Sequence, residues 1–424
     1  MTTDWEHYLE SLAAFGMRPG LERVSVLLDG LGRPQDAYRV VHVVGTNGKS
    51  STTRYAAALL GAHGLRAGAY LSPHLTGFCE RVVVDGRPIS EQRFGGAVEV
   101  VRAAVARLPA ELGDTTQFEV LTVAALLALA EESVEAVALE AGLGGRLDAT
   151  NVVAAPVVVL TNIGLEHTEV LGDTRETIFA EKAAVIKGGD VVFGRLDGLE
   201  AAALEVCRRA GARPWFLGRD FSVAGEPAGF SVTTPTFSCD RLRLPTAALY
   251  QRDNAALAVM AVERLQGRLD ADAVRAGLAA AVVPGRLQVV AGRPLLVADG
   301  AHNPDGVAVL AASLAALAVP APRVALVAIM RDKDFGTMLD GLVAHCDTLV
   351  CTQASQARSL PASRLAAAAR EAVERSGATC RVLAVADPRQ ALAESRRLAT
   401  PAGSVLVTGS LYLLEDVRDA AGLV

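Results

Sequence analysis

Short apolar runs alternate with longer stretches rich in Ala and Leu along most of the chain. The apolar runs have the length of strands, and the longer stretches have the length and composition of helices. This alternation predicts an α/β fold, in which helices cover both faces of a mostly parallel sheet. The strands predicted in the first part of the chain are Val40–Val44, Ala67–Leu71, Ala136–Glu140, Val157–Thr161 and Asp190–Phe193.

The pattern changes between about residues 219 and 244, where helical periodicity is absent and we expect small strands. Two predicted helices follow, Tyr250–Leu265 and Ala271–Ala280. The alternation then starts again and predicts a second α/β domain. The strands predicted there are Leu295–Asp299, Val324–Ile329, Thr348–Thr352, Val382–Val385 and Val405–Thr408.

The length of 424 residues exceeds one ordinary hydrophobic core. We predict a first domain over residues 1–283, a linker over 284–290 and a second domain over 291–424. The hydrophobic share of 51% and the charged share of 21% indicate a globular protein. A formal net charge of −6 argues against a general nucleic-acid binder, so an anionic substrate would need locally placed Lys and Arg side chains.

The six cysteines are scattered and form no CxxC pair, which suggests neither a zinc site nor a disulfide framework. The N-terminal residues are acidic and unlike a secretory signal, so we expect a cytoplasmic protein. The apolar runs Val120–Ala130 and Val307–Pro320 are shorter than a membrane span and are predicted to be core helices.

The sequence GTNGKSS at residues 45–51 has the composition of a phosphate-binding loop. It lies between a predicted strand and a predicted helix, so backbone N–H groups and the positive end of the helix dipole would face an anion. Lys49 is expected to reach the β- and γ-phosphates, and Ser50 or Ser51 to bind Mg²⁺. Val43 replaces the first glycine of the usual motif, which leaves an ordinary tight turn as the alternative.

Polar side chains also follow other predicted strands of the first domain. Glu140 ends a buried strand and is suited to hold Mg²⁺, directly or through water. The alternative is a glycine-rich loop in which Arg146 and Asp148 form a salt bridge. His167 is a candidate metal ligand after the next strand, and Ser72 could offer a hydroxyl to a metal. Since parallel strands end at one edge of a sheet, these groups should lie on the same side.

Weaker candidates lie elsewhere in the chain. Arg81 could meet an acidic substrate, and Asp299 and His302 follow a strand of the second domain with groups suited to a nucleotide or phosphate. Lys333 stands between two aspartates, as an exposed ion pair or as a cation delivered to a cleft. Lys182 follows Glu181 on a predicted helix, a pattern typical of a solvated helix face.

Taken together, the motifs resemble the folylpolyglutamate synthase/dihydrofolate synthase family of the Mur ligase superfamily. The resemblance covers nearly the whole chain and depends on the number and order of the motifs GTNGKSS, SPHL, LEAGLGGRLDATN, IGLEHTEVLGDT, EKAAVIK, the Gln251–Asn254 pair, PGR, DGAHNP, DKD and VTGSLY. It implies a P-loop-containing Mur-ligase-type ATPase domain followed by a Rossmann-like α/β domain. It also implies a monomeric, ATP-dependent amide ligase that joins L-glutamate to dihydropteroate, to reduced folates or to both, through an acyl phosphate.

The resemblance assigns roles to individual residues and changes the interpretation of Lys182. This residue matches a lysine that the family carries as a carbamate, an anionic oxygen donor of the kind that Mg²⁺ prefers. Ser72 and Glu140 resemble ligands of one Mg²⁺ and His167 resembles a ligand of another, and Lys182 completes the metal set. The catalytic set is Lys49, Lys182, Asp299 and His302. The ATP-binding set is Thr46, Asn47, Gly48, Lys49, Ser50, Ser51, Asn254, Arg286 and Asp299. The pterin-side set is Arg81, Thr116, Phe118, Leu147, Asp148 and Ala149.

Three positions depart from the family pattern. Ser50 and Ala184 stand where glycine is usual, and Glu166 stands where aspartate is frequent before the metal-binding His. Ser50 leaves open which of the two loop hydroxyls meets the phosphates or the metal. A cell-wall Mur ligase is an alternative, although SPHL, GLGGRLDATN and the short segment before the phosphate loop favour the folate branch. A nucleotide-dependent switch is another alternative, but it would not need DGAHNP and a second α/β domain.

Overall fold

The apolar run before residue 45 forms a central strand of an eight-stranded sheet. The structure is a computed structural model that describes residues 3–13, 20–74 and 77–423. Within it the chain divides into a first unit, Met1–Leu244 with Arg252–Ala281, and a second unit, Pro245–Gln251 with Val282–Val424. The domain limits expected from the sequence stay a prediction, and the structure adds that the segment Pro245–Gln251 packs with the second unit.

The first unit contains most of the strands and helices. Its strands are β1 (Arg39–Val44), β2 (Ala67–Tyr70), β3 (Val82–Val84), β4 (Arg87–Pro88), β5 (Ala136–Glu140), β6 (Val157–Asn162), β7 (Asp190–Arg195), β8 (Arg213–Phe216), β9 (Ser222–Glu226), β10 (Gly229–Thr233) and β11 (Ser238–Leu242). Its helices are α1 (Asp4–Leu12), α2 (Glu22–Gly30), α3 (Lys49–Ala62), α4 (Glu91–Val105), α5 (Gln117–Glu131), α6 (Thr168–Leu171), α7 (Arg175–Ala183), α8 (Glu200–Ala210), nearly all of α9 (Gln251–Gln266), and α10 (Ala271–Ala280).

The main sheet has the strand order β4-β3-β2-β5-β1-β6-β7-β8. Six neighbouring strands, from β2 through β5, β1, β6 and β7 to β8, are parallel, whereas β3 pairs antiparallel with both β2 and the edge strand β4. β1 lies between β5 and β6, so its carboxyl end meets the carboxyl ends of both neighbours. In such sheets this edge is where ligands bind. Strands β9 to β11 form a separate antiparallel sheet, as expected for residues 219–244.

Helices cover the main sheet and bury its apolar strands. One core cluster joins Trp5, Leu27, Phe94 and Leu126, from α1, α2, α4 and α5, to Val137 in β5. Another packs α7 and α8 against the β6–β8 part of the sheet. Five of the six residues of β1 are buried, a pattern typical of a strand with helices on both faces. His42, which is fully buried, is the one ionisable residue among those five.

The second unit is built in the same way around a six-stranded sheet. Its strand order is β12-β13-β17-β14-β15-β16, and all neighbours are parallel except the edge strand β12. The strands are β12 (Gln288–Val290), β13 (Leu295–Ala298), β14 (Arg323–Val327), β15 (Thr348–Cys351), β16 (Arg381–Ala384) and β17 (Ser404–Thr408). The helices are α11 (Pro304–Leu317), α12 (Phe335–Val343), α13 (Ala362–Ser376), α14 (Pro388–Ala399) and α15 (Leu411–Ala421).

None of the helices in the described ranges combines the length and the hydropathy that a bilayer crossing requires.

Candidate active site

The loop between β1 and α3 turns sharply at two glycines. Gly45 has a φ of 144° and Gly48 has a φ of 85°. Residues other than glycine rarely adopt these backbone conformations. A Cβ atom on Gly45 would overlap Thr161 Oγ1, and one on Gly48 would overlap Asn254 Oδ1. Both positions therefore need glycine for conformation and for space. The tight-turn geometry expected for GTNGKSS is present, and it leads directly into the first turn of α3.

Residues at the end of β6 hold this loop in place. The amide N–H of Asn47 donates to Asn162 Oδ1 at 2.9 Å, and that of Thr46 donates to the Asn162 carbonyl at 3.0 Å. The hydroxyl of Thr161 donates to the Asn47 carbonyl at 2.6 Å. Sequence analysis did not assign these supporting roles to Thr161 and Asn162. Polar residues that end an apolar strand beside a candidate loop were the available signal.

Two lysine side chains converge on one carbonyl oxygen of the loop. Lys49 Nζ donates to the carbonyls of Gly45 at 3.0 Å and Thr46 at 2.9 Å. Lys182 Nζ, from α7, donates to the same Gly45 carbonyl at 2.8 Å. Lys182 is 2% exposed, so the solvated helix face suggested by its local sequence is wrong. Burial, together with the nearby Lys49 charge, lowers the pKa of Lys182 to about 7.

Glu140 ends β5 and receives hydrogen bonds on both carboxylate oxygens. Its Oε1 accepts from Ser50 Oγ at 2.7 Å, and its Oε2 accepts from the Ser72 amide at 3.1 Å. Burial raises the pKa of this carboxyl, while Lys49 is the largest influence in the opposite direction. The acid and a hydroxyl of the phosphate loop thus meet at adjacent strand ends. Ser50 is the loop hydroxyl in contact with Glu140, and Ser51 is buried.

His167 lies at the start of the short helix α6, with a left-handed φ of 51°. Its Nε2 is 3.5 Å from Glu166 Oε1, and its side chain is about a third exposed. No cluster of three or more His, Cys, Asp and Glu side chains suited to a metal occurs in the described part of the chain. The oxygen donors Glu140, Ser50 and Ser72 nevertheless have the chemistry that Mg²⁺ prefers. These three residues therefore fit the binding of a hard divalent cation.

The predicted pterin side contains a carboxylate whose geometry is fixed by several donors. Asp148 Oδ2 accepts from the Leu143 amide at 2.8 Å, and its Oδ1 accepts from the amide and the hydroxyl of Thr150 at 3.0 and 2.5 Å. Arg146 instead pairs with Glu181, 2.9 Å away. The salt bridge between Arg146 and Asp148, considered as an alternative from the sequence, does not form.

The other predicted pterin-side residues include apolar side chains and a helix cap. The half-buried Phe118 lies near Tyr70, with ring centroids 6.4 Å apart, and a Cβ on Gly142 would overlap its ring. Leu147 is 48% exposed, which leaves an apolar side chain accessible beside Asp148, while Ala149 is buried. Thr116 caps helix α5, since its hydroxyl accepts from the Glu119 amide at 3.2 Å.

Arg81 is buried and lies next to the SPHL motif, of which Leu75 is outside the described residues. Its Nε donates to His74 Nδ1 at 2.9 Å, and one terminal nitrogen lies 3.4 Å from Ser72 Oγ. Burial, with the Arg81 charge as a smaller influence, lowers the pKa of His74 to about 4. Arg81 is thus a cation next to a predicted metal ligand, in a place where an anionic group would be stabilised.

In the second unit, Asp299 follows β13 and fixes the surrounding backbone. Its Oδ2 accepts from the Tyr250 hydroxyl at 2.7 Å and from the Leu287 amide at 2.8 Å, and its Oδ1 accepts from the Ala301 amide at 2.8 Å. Burial raises the pKa of Asp299, and the Arg286 charge opposes this shift. His302 Nδ1 lies 2.8 Å from the Gly300 carbonyl, so it carries the proton and donates.

Lys333 lies 3.9 Å from Asp332 and is largely buried, so it is not part of an exposed ion pair.

The two units match known domains. Residues 43–191 match the Mur ligase middle domain, and residues 285–411 match the glutamate ligase domain of Mur ligases. A glycine-containing loop that leads into a helix, with a lysine and a buried acid beside it, is suited to bind the phosphates of a nucleotide. The fold and the site therefore define an ATP-dependent carbon–nitrogen ligase of the Mur ligase type.

The dihydrofolate synthase/folylpolyglutamate synthase of Bacillus subtilis (strain 168) is 34% identical over 433 residues, which cover 98% of this chain and 98% of that protein. The chain belongs to the folylpolyglutamate synthase/dihydrofolate synthase family. The Mycobacterium tuberculosis folylpolyglutamate synthase complexed with ADP and AMPPCP superimposes with a TM-score of 0.91 at 33% identity, covering 98% of this chain and 97% of that one. A bifunctional synthase solved with Mn, AMPPNP and L-glutamate has a TM-score of 0.87 at 31% identity, with coverage of 100% and 99%.

Proposed function

We propose that this enzyme uses ATP to join L-glutamate to the free carboxylate of dihydropteroate or of a reduced folate. One observation carries the proposal most strongly: a hydroxyl of the phosphate loop, Ser50, contacts the buried acid Glu140 at 2.7 Å. Nucleotide-hydrolysing folds commonly place a loop hydroxyl and an acid together to hold the cation of the nucleotide. The names and ligands of the similar proteins support the choice of folate-type acceptors and glutamate.

The reaction would proceed in two transfers. The acceptor carboxylate attacks the γ-phosphorus of ATP, which gives an acyl phosphate and ADP. The amine of glutamate then attacks the acyl carbon, loses a proton and displaces phosphate, so an amide bond replaces the acyl–oxygen bond. A carboxylate is a poor electrophile because its leaving group would be an oxide. Phosphorylation supplies the better leaving group, and positioning by the protein supplies much of the remaining rate.

The loop residues would bind and orient the nucleotide. The backbone of Thr46, Asn47 and Gly48 would face the phosphates at the first turn of α3, where the helix dipole favours negative charge. Lys49 lies within this loop, and its ammonium would exchange its contacts with the loop carbonyls for phosphate oxygens. Asn254, Arg286, Asp299 and His302 are also proposed to contact ATP.

We propose Mg²⁺ as the metal, with Glu140 and the hydroxyls of Ser50 and Ser72 among its ligands, and with His167 at a second position. When bound, a divalent cation would neutralise charge on the transferred phosphoryl group. The carboxylate and hydroxyl oxygens provide hard donors for it. The acceptor would lie on the side of Arg81, Phe118 and Asp148, where a flat apolar face and a hydrogen-bond acceptor suit a pterin ring. We further propose that the enzyme acts as a cytoplasmic monomer and does not bind nucleic acid.

Lys182 is proposed to carry a carbamate. Carbamylation requires a neutral amine to attack CO₂, with release of one proton. Burial and the Lys49 charge both favour the neutral form of Lys182, which supports the proposal. The product is an anion beside Lys49 and would replace a repulsion between two cations by an attraction.

Mass spectrometry under native conditions tests the modification. After incubation with isotopically labelled bicarbonate, we expect a labelled adduct of the mass of CO₂ on the wild-type enzyme and none on Lys182→Ala. Lys187→Ala is the matched control, because Lys187 is exposed and donates to backbone carbonyls. An active enzyme without the adduct would contradict the role of the carbamate.

An ADP-release assay tests the proposed function. ADP formation is measured with glutamate and, in turn, dihydropteroate, tetrahydrofolate and methylenetetrahydrofolate, each with and without a metal chelator. We expect strong stimulation by at least one acceptor, only in the presence of both glutamate and free Mg²⁺. Equal ADP release without any acceptor would instead indicate a nucleotide switch. A cell-wall precursor is added as a fourth acceptor, and stimulation by this precursor alone would indicate the other branch of the superfamily.

A further inference from the structure

A buried chain of hydrogen bonds leads from β1 to the carboxylate on the predicted pterin side. His42 Nε2 lies 2.8 Å from Thr150 Oγ1, and Thr150 Oγ1 lies 2.5 Å from Asp148 Oδ1. His42 and Thr150 are fully buried and Asp148 is 5% exposed. No water-exposed group interrupts the chain, and only its Asp148 end approaches the surface.

The direction of each hydrogen bond follows from the chemistry of its members. An ionised carboxylate can only accept, so the single hydroxyl proton of Thr150 is directed toward Asp148. The Thr150 oxygen must then accept the proton of His42 Nε2–H. Burial lowers the pKa of His42 to about 3, so the ring is neutral and carries its one proton on Nε2. This assignment leaves His42 Nδ1 without a proton, and Nδ1 is buried without a partner within the described residues.

A histidine at this position destabilises the fold, because its Nδ1 is buried without a partner within the described residues. The other buried residues of β1 are valines, which fill the sheet without polar atoms. An unpaired buried ring nitrogen destabilises the fold, and a sixth apolar residue would avoid that cost. A purely structural role therefore explains why a side chain fills this position, but not why that side chain carries two polar ring nitrogens. Its one polar contact reaches the hydroxyl that orients Asp148.

We propose that His42 and Thr150 are positioning residues that fix Asp148 for the pterin portion of the acceptor. His42 holds the Thr150 hydroxyl in the orientation that donates to Asp148 Oδ1. The lone pairs of the carboxylate that remain free to accept hydrogen bonds then face the ligand. Hydrogen bonds in such a chain polarise one another and act as a unit in a low-dielectric interior. This inference rests on the proposed function, because it takes Asp148 as a contact of the acceptor.

Four substitutions test the chain one link at a time. Thr150→Val removes the hydroxyl and keeps the shape, whereas Thr150→Ser keeps the hydroxyl. His42→Leu removes the donor, whereas His42→Gln keeps an N–H donor near Nε2. The dissociation constant of dihydropteroate is measured by calorimetry with a non-hydrolysable ATP analogue and no glutamate, and KM for ATP is measured separately.

We expect Thr150→Val to weaken dihydropteroate binding by roughly ten-fold, as for the loss of a hydrogen bond to a charged group, and to change KM for ATP by less than about two-fold. Thr150→Ser and His42→Gln should stay close to wild type. In the double variant, His42→Leu should add nothing to the effect of Thr150→Val, because the link between them is already broken. Additive effects, or equal losses for ATP and dihydropteroate, would overturn the proposal.

Thr53→Val is the matched control for the change from Thr to Val. Thr53 is fully buried in α3, and its hydroxyl has no partner among the described residues. It should leave dihydropteroate binding unchanged. Asp148→Asn separates the two hypotheses: if it weakens binding while Thr150→Val does not, the positioning role fails and the proposed function stands. If Asp148→Asn also leaves binding unchanged, Asp148 is not an acceptor contact and the positioning role is overturned with that assignment.

Discussion

At the scale of residues, two amino groups share the Gly45 carbonyl oxygen, and their proximity explains their different chemistry. Lys49 is partly buried in the loop, whereas Lys182 is 2% exposed. Burial, together with the Lys49 charge, lowers the pKa of Lys182. Lys49 is the cation proposed to bind phosphate, and Lys182 is the amine proposed to react with CO₂.

Replacing Lys49 tests its role as that cation. We expect Lys49→Ala to reduce acceptor-stimulated ADP release by at least about 100-fold, because charge on the transferred phosphoryl group would no longer be neutralised. Lys49→Arg should also be strongly impaired, since a planar guanidinium does not reproduce a compact ammonium. Turnover is measured at saturating ATP, and circular dichroism checks that the variants are folded. Near-normal turnover of Lys49→Ala would contradict the assignment of residues 45–51 as a phosphate-binding loop.

At the scale of elements, the turn between β1 and α3 depends on residues that are distant in sequence. Its two glycines leave room for Thr161 on β6 and Asn254 on α9, because a Cβ atom at either glycine would overlap these side chains. The side chain of Asn162 accepts a hydrogen bond from a backbone N–H of the turn. A turn of this kind is preorganised, since β6 fixes it before any ligand arrives. Preorganised donors stabilise developing charge without further reorganisation.

Two glycines with nearly the same φ separate the effect of space from that of conformation. Gly48 has a φ of 85° and lies against Asn254, whereas Gly64 has a φ of 84° and faces open space. Both alanine variants should lose about 1–2 kcal/mol from the left-handed backbone. Only Gly48→Ala should also raise KM for ATP markedly, because the loop must move. Thermal unfolding and KM for ATP are the two measurements. An equal KM for ATP in both variants would contradict the conclusion that this turn is preorganised.

At the scale of the whole molecule, the chain enters the second unit, returns to the first and then enters the second again. The short segment Pro245–Gln251 packs with the second unit, and Tyr250 attaches it to Asp299. The same carboxylate also orders the backbone at Leu287 and Ala301. Asp299 is therefore a structural centre of the second unit as well as a proposed ATP contact.

The attachment of this segment is tested by removing one hydroxyl. Tyr250→Phe leaves the buried Asp299 without one of its donors, and we expect a loss of about 1.5–3 kcal/mol in the free energy of unfolding. Tyr55→Phe is the control, because the Tyr55 hydroxyl is buried without a partner within the described ranges, so its removal should be neutral or stabilising. Calorimetric unfolding is the measurement, and equal stability of the two variants would show that the bond to Asp299 contributes little.

The sequence by itself determined the α/β class, the family and the positions of the main strands along the chain, because apolar runs and short motifs are local signals. It missed the short strands β3, β4, β8 and β12, which lie at or next to the sheet edges and whose few residues carry little periodic pattern. Only the tertiary structure decided that Lys182 is buried, that Ser50 contacts Glu140 and that Arg146 pairs with Glu181 instead of Asp148. Burial and partner choice depend on residues brought together by the parallel sheet. No local pattern encodes them, and for the same reason the connection from His42 through Thr150 to Asp148 became visible only in three dimensions.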